Sequence, residues 1–276
     1  MRRNGVFIIL TVLALSLLAA NNLGAAPKAD LWPRWNRHDA ASTVKVDHSA
    51  WDRFLNRYLV TDHPSGINRI RYGDVTAGDR RLLDSYIERL QGTPVSRLNR
   101  EEQMAYWINL YNAVTVRVIL DHYPVSSITK IDLSSGLFSR GPWEAKLLEV
   151  EGEAISLNDI EHRILRPIWK DPRVHYAVNC ASMGCPNLQN RAYTAANLEV
   201  LLDRGAREYV NHPRGVSVEG KKLVLSSIYD WFQEDFDGSE EGVLRHLRRH
   251  AAPELATELD NYSGRIGYAY DWSLNE

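Results

Sequence analysis

Cysteine is scarce in this chain: among 276 residues only Cys180 and Cys185 occur. So small a number excludes a disulfide-dense scaffold, and the Cys-x-x-x-x-Cys spacing argues against a thioredoxin-like redox site. Close pairs of metal ligands are missing too. Zinc held by Cys180, Cys185, His162 and His175 would lack the spacing of structural sites, so no metal and no cofactor are expected. A basic excess is also absent, with 33 Lys plus Arg against 35 Asp plus Glu, and this argues against nucleic acid as a partner. There is no internal repeat and no low-complexity stretch. Beyond the amino terminus no apolar run reaches the roughly 20 residues that span a bilayer, so no transmembrane segment is expected after signal cleavage.

What is present begins with an export signal. Arg2 and Arg3 precede an uncharged apolar run from Val6 to Ala20, and Gly24, Ala25 and Ala26 supply the small residues of a cleavage site. The expectation is a signal peptide over residues 1–26, removed after Ala26, and a periplasmic or secreted product. No cysteine lies nearby to carry a lipid anchor. Residues 27–45 read as an irregular amino-terminal arm with Trp32 and Trp35 as docking points, and 46–276 as one globular domain.

Within that domain Asp47 to Val60 and Gly78 to Leu90 carry apolar residues at helical spacing. Asn99 and Glu102 form an Asn-x-x-Glu capping box, after which the chain is almost wholly apolar to Tyr123, where Pro124 ends it. This predicts a long central helix surrounded by protein. Asn109 and Asn112 interrupt it on one side, and a buried amide costs on the order of 1–3 kcal/mol when unpaired, so something polar must meet them.

Leu147 to Val150 and Ala154 to Ile155 read as a hairpin about Glu151-Gly152, and Ser156 with Asp159 caps a helix ending near Pro167. Val174 to Asn179 alternates and reads as a strand leading to Cys180. Thr194 to Val210 reads as an amphipathic helix, Val216 to Leu225 as a second hairpin, and Gly242 to Ala251 as a basic helix. Ser227 caps the segment Ile228 to Phe236, and Ile266 to Trp272 returns as a final strand. Helices and hairpins without a strand-helix-strand rhythm predict an α+β class: a long buried central helix, short antiparallel hairpins and several peripheral helices.

The stretch Asp171 to Pro186 holds both cysteines and the densest set of reactive groups. A thiol in a turn of small residues has backbone N–H groups around it, which lower its pKa and offer an oxyanion site. Equally, two cysteines five apart in an exported protein can close a Cys180–Cys185 disulfide that staples the loop. If Cys180 is a nucleophile it needs a base. An extended chain would set His175 roughly 16 Å from it, so His162, on the capped helix, is the better choice. Asn109 or Asn112 would orient that imidazole, the Cys180 N–H and Asn179 would receive the oxyanion, and His175 and Ser182 would lie behind. Glu161 points about 100° away from His162 on the same helix. His38, His48, His63, His122, His212, His246 and His250 read as solvated.

Tyr106 to Ala113, Ser156 to His162, His175 to Pro186 and the closing Tyr270 to Asn275 together resemble the domain-of-unknown-function 547 family, most strongly over about 101–202. That resemblance implies a shared fold and a distant similarity to papain-like and transglutaminase-like cysteine enzymes. It also implies that the Cys185 position can be serine, and that the order of His162 and Cys180 is permuted relative to papain-like enzymes. Two functions are therefore expected: an exported cysteine-dependent hydrolase or acyl-transfer enzyme acting on peptide or amide bonds, or a non-catalytic binding domain with a stapled loop whose aromatics hold a peptide or cell-envelope component.

Overall fold

The computed structural model describes residues 26–133, 141–220 and 222–276, so the expected signal segment lies almost wholly outside the described residues. Three helices form the base of the fold. Helix α1 (Ser49–Tyr58) and helix α2 (Ala77–Gln91) each bury one stripe, Trp51, Phe54, Leu55 and Tyr58 in the first and Leu83, Tyr86, Ile87 and Leu90 in the second. Helix α1 packs on α2, and α2 packs on α3 (Arg100–His122), which starts where Asn99 accepts a hydrogen bond from the Glu102 N–H and is buried along nearly its whole length.

A short hairpin, β3 (Leu148–Val150) with β4 (Glu153–Ile155), follows the tiny pair β1 (Leu59–Val60) and β2 (Arg69–Ile70). It turns through Glu151 and Gly152, both at positive φ. Next comes α4, a π-helical stretch Asp159–Leu165 running on as α-helix Arg166–Trp169. Its start is a reciprocal box: the Asp159 N–H donates to Ser156 Oγ at 3.1 Å and Asp159 Oδ2 accepts from the Ser156 N–H at 2.8 Å.

The chain then departs from its alternating pattern. The expected strand from Val174 is a 3₁₀ helix, Pro172–Tyr176, started by Asp171, whose side chain accepts from the Arg173 N–H. Pro172 at its first turn sets a helical φ, and every residue from Val174 to Asn179 is buried, so the alternation carried no information about faces.

Helix α5 (Leu198–Val210) leads into a three-stranded sheet of order β5-β6-β7. Strands β5 (Val216–Glu219) and β6 (Lys222–Ser226) make the expected antiparallel hairpin, while β7 (Ile266–Ala269) adds parallel to β6 as an outer strand. Between them lie α6 (Ile228–Trp231), α7 (Glu240–His250) and α8 (Pro253–Asp260); α8 was not legible in the sequence, and Ser227 does not cap α6 through its side chain. The architecture is α+β. Among the described residues no helix is long and apolar enough to cross a membrane.

Buried apolar side chains gather into two clusters, one on α1 to α4 with the start of α5 and the other on the end of α5, the three-stranded sheet, α7 and α8. Tyr176 belongs to the second although its neighbours Val174, Ala177 and Val178 belong to the first, so the segment before Cys180 runs along the seam. The arm is docked. Trp35 is buried edge-on against Trp107 at 5.2 Å, and the Asp30 and Trp32 N–H groups donate to carbonyls of α4. Burial of one indole accounts for that docking: Trp35→Ala should cost about 3 kcal/mol in urea unfolding and expose the arm to protease, and unchanged values on both counts would refute it.

Candidate functional site

The two α3 asparagines are met by backbone. Asn109 donates to the Tyr193 carbonyl at 2.7 Å and accepts from its N–H at 3.0 Å. Asn112 does the same across two residues, donating to Ala177 O at 2.9 Å and accepting from the Asn179 N–H at 2.8 Å. Asn179 extends the brace, donating to Pro186 O and accepting from the Ala181 N–H. A central helix thus pins both ends of the loop that carries the cysteines.

The outer side of the loop is held by the carboxyl-terminal residues. The Met183 and Gly184 N–H groups donate to the carbonyls of Ser273 and Asp271, and the Asn275 N–H donates to Ala181 O. A Cβ on Gly184 would lie 2.9 Å from the Asp271 backbone, so only glycine fits beneath this strap. Tyr209 adds a hydrogen bond to Gly184 O at 2.6 Å.

Inside the loop Cys180 and Cys185 form a disulfide. Cys180 is half-buried and Cys185 is buried. Ser182 donates to the Tyr270 hydroxyl at 3.1 Å, and that hydroxyl donates to Cys185 Sγ at 3.2 Å, where the Cys180 N–H also donates at 2.9 Å. Cys180 Sγ lies 3.3 Å from Ser182 Oγ and 3.2 Å from Tyr270 Oη. From Tyr270 a run of half-buried aromatics leads outward: Trp231 at 4.9 Å and Trp272 at 4.7 Å, then Trp143 at 5.8 Å from Trp272.

The histidines serve elsewhere. His162 Nδ1 accepts from Arg166 at 3.0 Å, and its ring stacks on Phe232. Burial and the Arg166 charge lower its pKa to about 4, although Glu161 pulls the other way. His175 is buried on the other contact of Phe232, with Nε2 at 2.7 Å from Asp235 and Nδ1 at 3.7 Å from Glu161. Burial opposes its charge, but those two carboxylates outweigh burial and raise its pKa. Desolvation likewise opposes the charge on Glu161, yet the imidazoles of His162 and His175 and the Arg166 guanidinium hold that carboxyl low. Arg166, itself buried, ties Asp235 at 2.5 Å and Glu234 at 2.7 Å to the arm through Pro27 O at 2.7 Å. Tyr111 completes the cluster by donating to Glu161 at 3.1 Å.

Of the residues expected to form a catalytic set, the structure brings Cys180, Asn179, Ser182 and, through backbone, Asn112 into one loop. It does not bring His162 or His175 to hydrogen-bond distance of the Cys180 sulfur, and Asn109 and Asn112 hold backbone rather than an imidazole. Two histidines expected to be solvated are buried: His48 lies 2.6 Å from the Tyr86 hydroxyl and His246 2.9 Å from that of Tyr176. Sequence reading missed the parts played by Tyr270, Asp235, Arg166 and Trp231. For Tyr270 and Trp272 the aromatic spacing near the carboxyl terminus was the available signal. Among the described residues no cluster of His, Cys, Asp or Glu is arranged to hold a metal ion.

The site therefore belongs to an α+β domain with a disulfide-closed loop under an aromatic wall. Residues 95–210 match the family described as "Protein of unknown function, DUF547", which supports the resemblance over that part of the chain. No curated protein and no solved structure matches, and the finer likeness to papain-like and transglutaminase-like enzymes finds no support there.

His175 binds its proton more tightly folded than unfolded, so the stability it contributes is complete below about pH 6.5 and is lost as pH rises through its higher folded value. The difference in melting temperature between the native chain and His175→Asn should be largest near about pH 6 and shrink towards about pH 9. A difference that grows over that range would contradict the assignment. The lowered histidines His48, His162 and His246 act with the opposite sign, losing stability as pH falls below about 6.5, so they bear only on the acid edge of this window.

Proposed function

We propose that the protein is an exported, non-catalytic binding domain that holds an extended peptide segment against the aromatic wall beside the Cys180–Cys185 loop. The observation that carries this reading is the continuous run Tyr270, Trp231, Trp272 and Trp143, all half-buried, leading from the sulfur pair to the surface. Half-exposed stacked aromatics offer large contact area at small entropic cost. The outer strand β7 runs straight into Tyr270 and Trp272, and an outer strand is where an extended chain adds main-chain hydrogen bonds. The amino-terminal Arg2, Arg3 and apolar run, together with the disulfide, favour export.

A second reading keeps the cysteine hydrolase or acyltransferase, with Cys180 as nucleophile after reduction. It is favoured by the Ser182 and Tyr270 hydroxyls beside that sulfur, which would stabilise a thiolate, and weakened by the engagement of His162 with Arg166.

Panning a displayed random-peptide library against the unreduced protein should yield ligands whose affinity falls at least about tenfold in Trp272→Ala, and titration of the same sample should find no free thiol. Peptides indifferent to Trp272, or an accessible thiol together with amide hydrolysis lost in Cys180→Ser, would replace the binding reading with the enzymatic one.

A further inference from the structure

The disulfide sits where the fold has little need of it. Three main-chain hydrogen bonds from the carboxyl-terminal strap, the Asn112 and Asn179 side chains and the Tyr209 hydroxyl already fix the loop. The link closes a ring between residues only five apart, and the chain-entropy gain from so small a ring is about 2 kcal/mol. Stapling alone is a weak account of it.

Its two sulfurs are not equivalent. Cys180 is half-buried at the inner end of the aromatic wall, whereas Cys185 is 4% exposed. The hidden sulfur accepts the Cys180 N–H at 2.9 Å, a main-chain bond with no counterpart on Cys180 Sγ, while the Tyr270 hydroxyl, backed by Ser182, lies 3.2 Å from both sulfurs. A hydrogen-bond donor on the departing sulfur stabilises its thiolate, and a better leaving group speeds exchange. One sulfur is thus reachable and the other is prepared to leave.

We propose that the Cys180–Cys185 pair is a redox-active disulfide that exchanges with external thiols, Cys180 being the sulfur attacked and Cys185 the one released. A thiolate from the partner forms a bond to Cys180 Sγ as the Cys180–Cys185 bond breaks, and its electron pair passes to Cys185 Sγ. A second partner thiolate then attacks the partner's own sulfur in the mixed disulfide and releases Cys180 as thiolate. Two protons from solvent complete the dithiol. Two partner thiols are oxidised to one disulfide and the protein's disulfide is reduced, so the electrons balance. The partner chemistry is a thiol, either a free small molecule or the dithiol of another protein.

The test uses the full chain in native buffer with millimolar reduced glutathione, quenched in acid, alkylated and weighed by mass spectrometry. Opening of the link with the near-ultraviolet dichroism retained supports the proposal; resistance until denaturant unfolds the chain overturns it. With oxidised glutathione supplied instead, Cys185→Ser should take one glutathione onto Cys180 and release one reduced glutathione, the adduct accumulating at least about tenfold faster than that of Cys180→Ser on Cys185, and equal rates overturn the assigned roles. Tyr270→Phe should slow opening of the native link several-fold at unchanged melting temperature, while an unchanged rate removes the leaving-group argument. Should a cysteine variant fail to fold, the cysteine first glutathionylated in the native chain decides the same question. Replacing glutathione with a Cys-x-x-Cys peptide separates the sources: faster opening by the peptide points to a protein dithiol, faster opening by glutathione to a small thiol, and no opening by either refutes the exchange.

Discussion

Two amides in an apolar helix organise this molecule. Asn109 and Asn112 lie three apart on α3, where an unpaired amide would cost on the order of 1–3 kcal/mol, and each satisfies both its donor and its acceptor on the backbone of a distant loop. The helix cannot be buried without those loops, and it anchors the inner side of the cysteine loop while the carboxyl-terminal strap holds the outer side. Because Asn112 grips Ala177 and Asn179 together, the position of the next residue, Cys180, follows from the packing of α3.

Everything at the site is layered on that brace. The segment before Cys180 runs along the seam between two apolar clusters, and the carboxyl-terminal strap crosses the same seam, with Tyr270 packed against one cluster and Leu274 within the other. Beneath Phe232 lies a charge network in which His175 sits between Glu161 and Asp235 while Arg166 ties the acidic pair Glu234 and Asp235 to the arm. Such a network is expensive to desolvate and strict about geometry, so it fixes α4 against the segment after α6 rather than supplying a free base. The histidines are spent on architecture, and the reachable chemistry is left to sulfur, hydroxyl and aromatic groups.

How much of this could be read from the chain depended on whether the signal was local. The capping box at Ser156, the N-cap at Asn99, the turn at Glu151-Gly152, the apolar length of α3 and the need for partners at Asn109 and Asn112 are local statements that the structure bears out, although the Glu102 carboxylate accepts from Val46 and Ala195 rather than closing the box on Asn99. The segment from Val174 to Asn179 was misread because burial on every side erases the face that alternation is meant to reveal. His48 and His246 looked solvated because their neighbours in sequence are polar, whereas their tyrosine partners come from other helices or loops. His162 looked free to serve Cys180 because nothing nearby in sequence announced that Arg166, one turn on, would occupy its Nδ1. The contact of Tyr270 with Cys180 was out of reach of any local argument, since ninety residues separate the two.

The central claim is that Asn112 holds the cysteine loop in place, and amide hydrogen exchange in the native state measures that hold directly. In Asn112→Ala, exchange at Asn179, Ala181 and Gly184 should accelerate at least about tenfold relative to the native chain, while amides of α8 keep their protection. Loop amides that exchange at native rates in the variant would contradict the account, since the loop would then be held by something other than the buried amide.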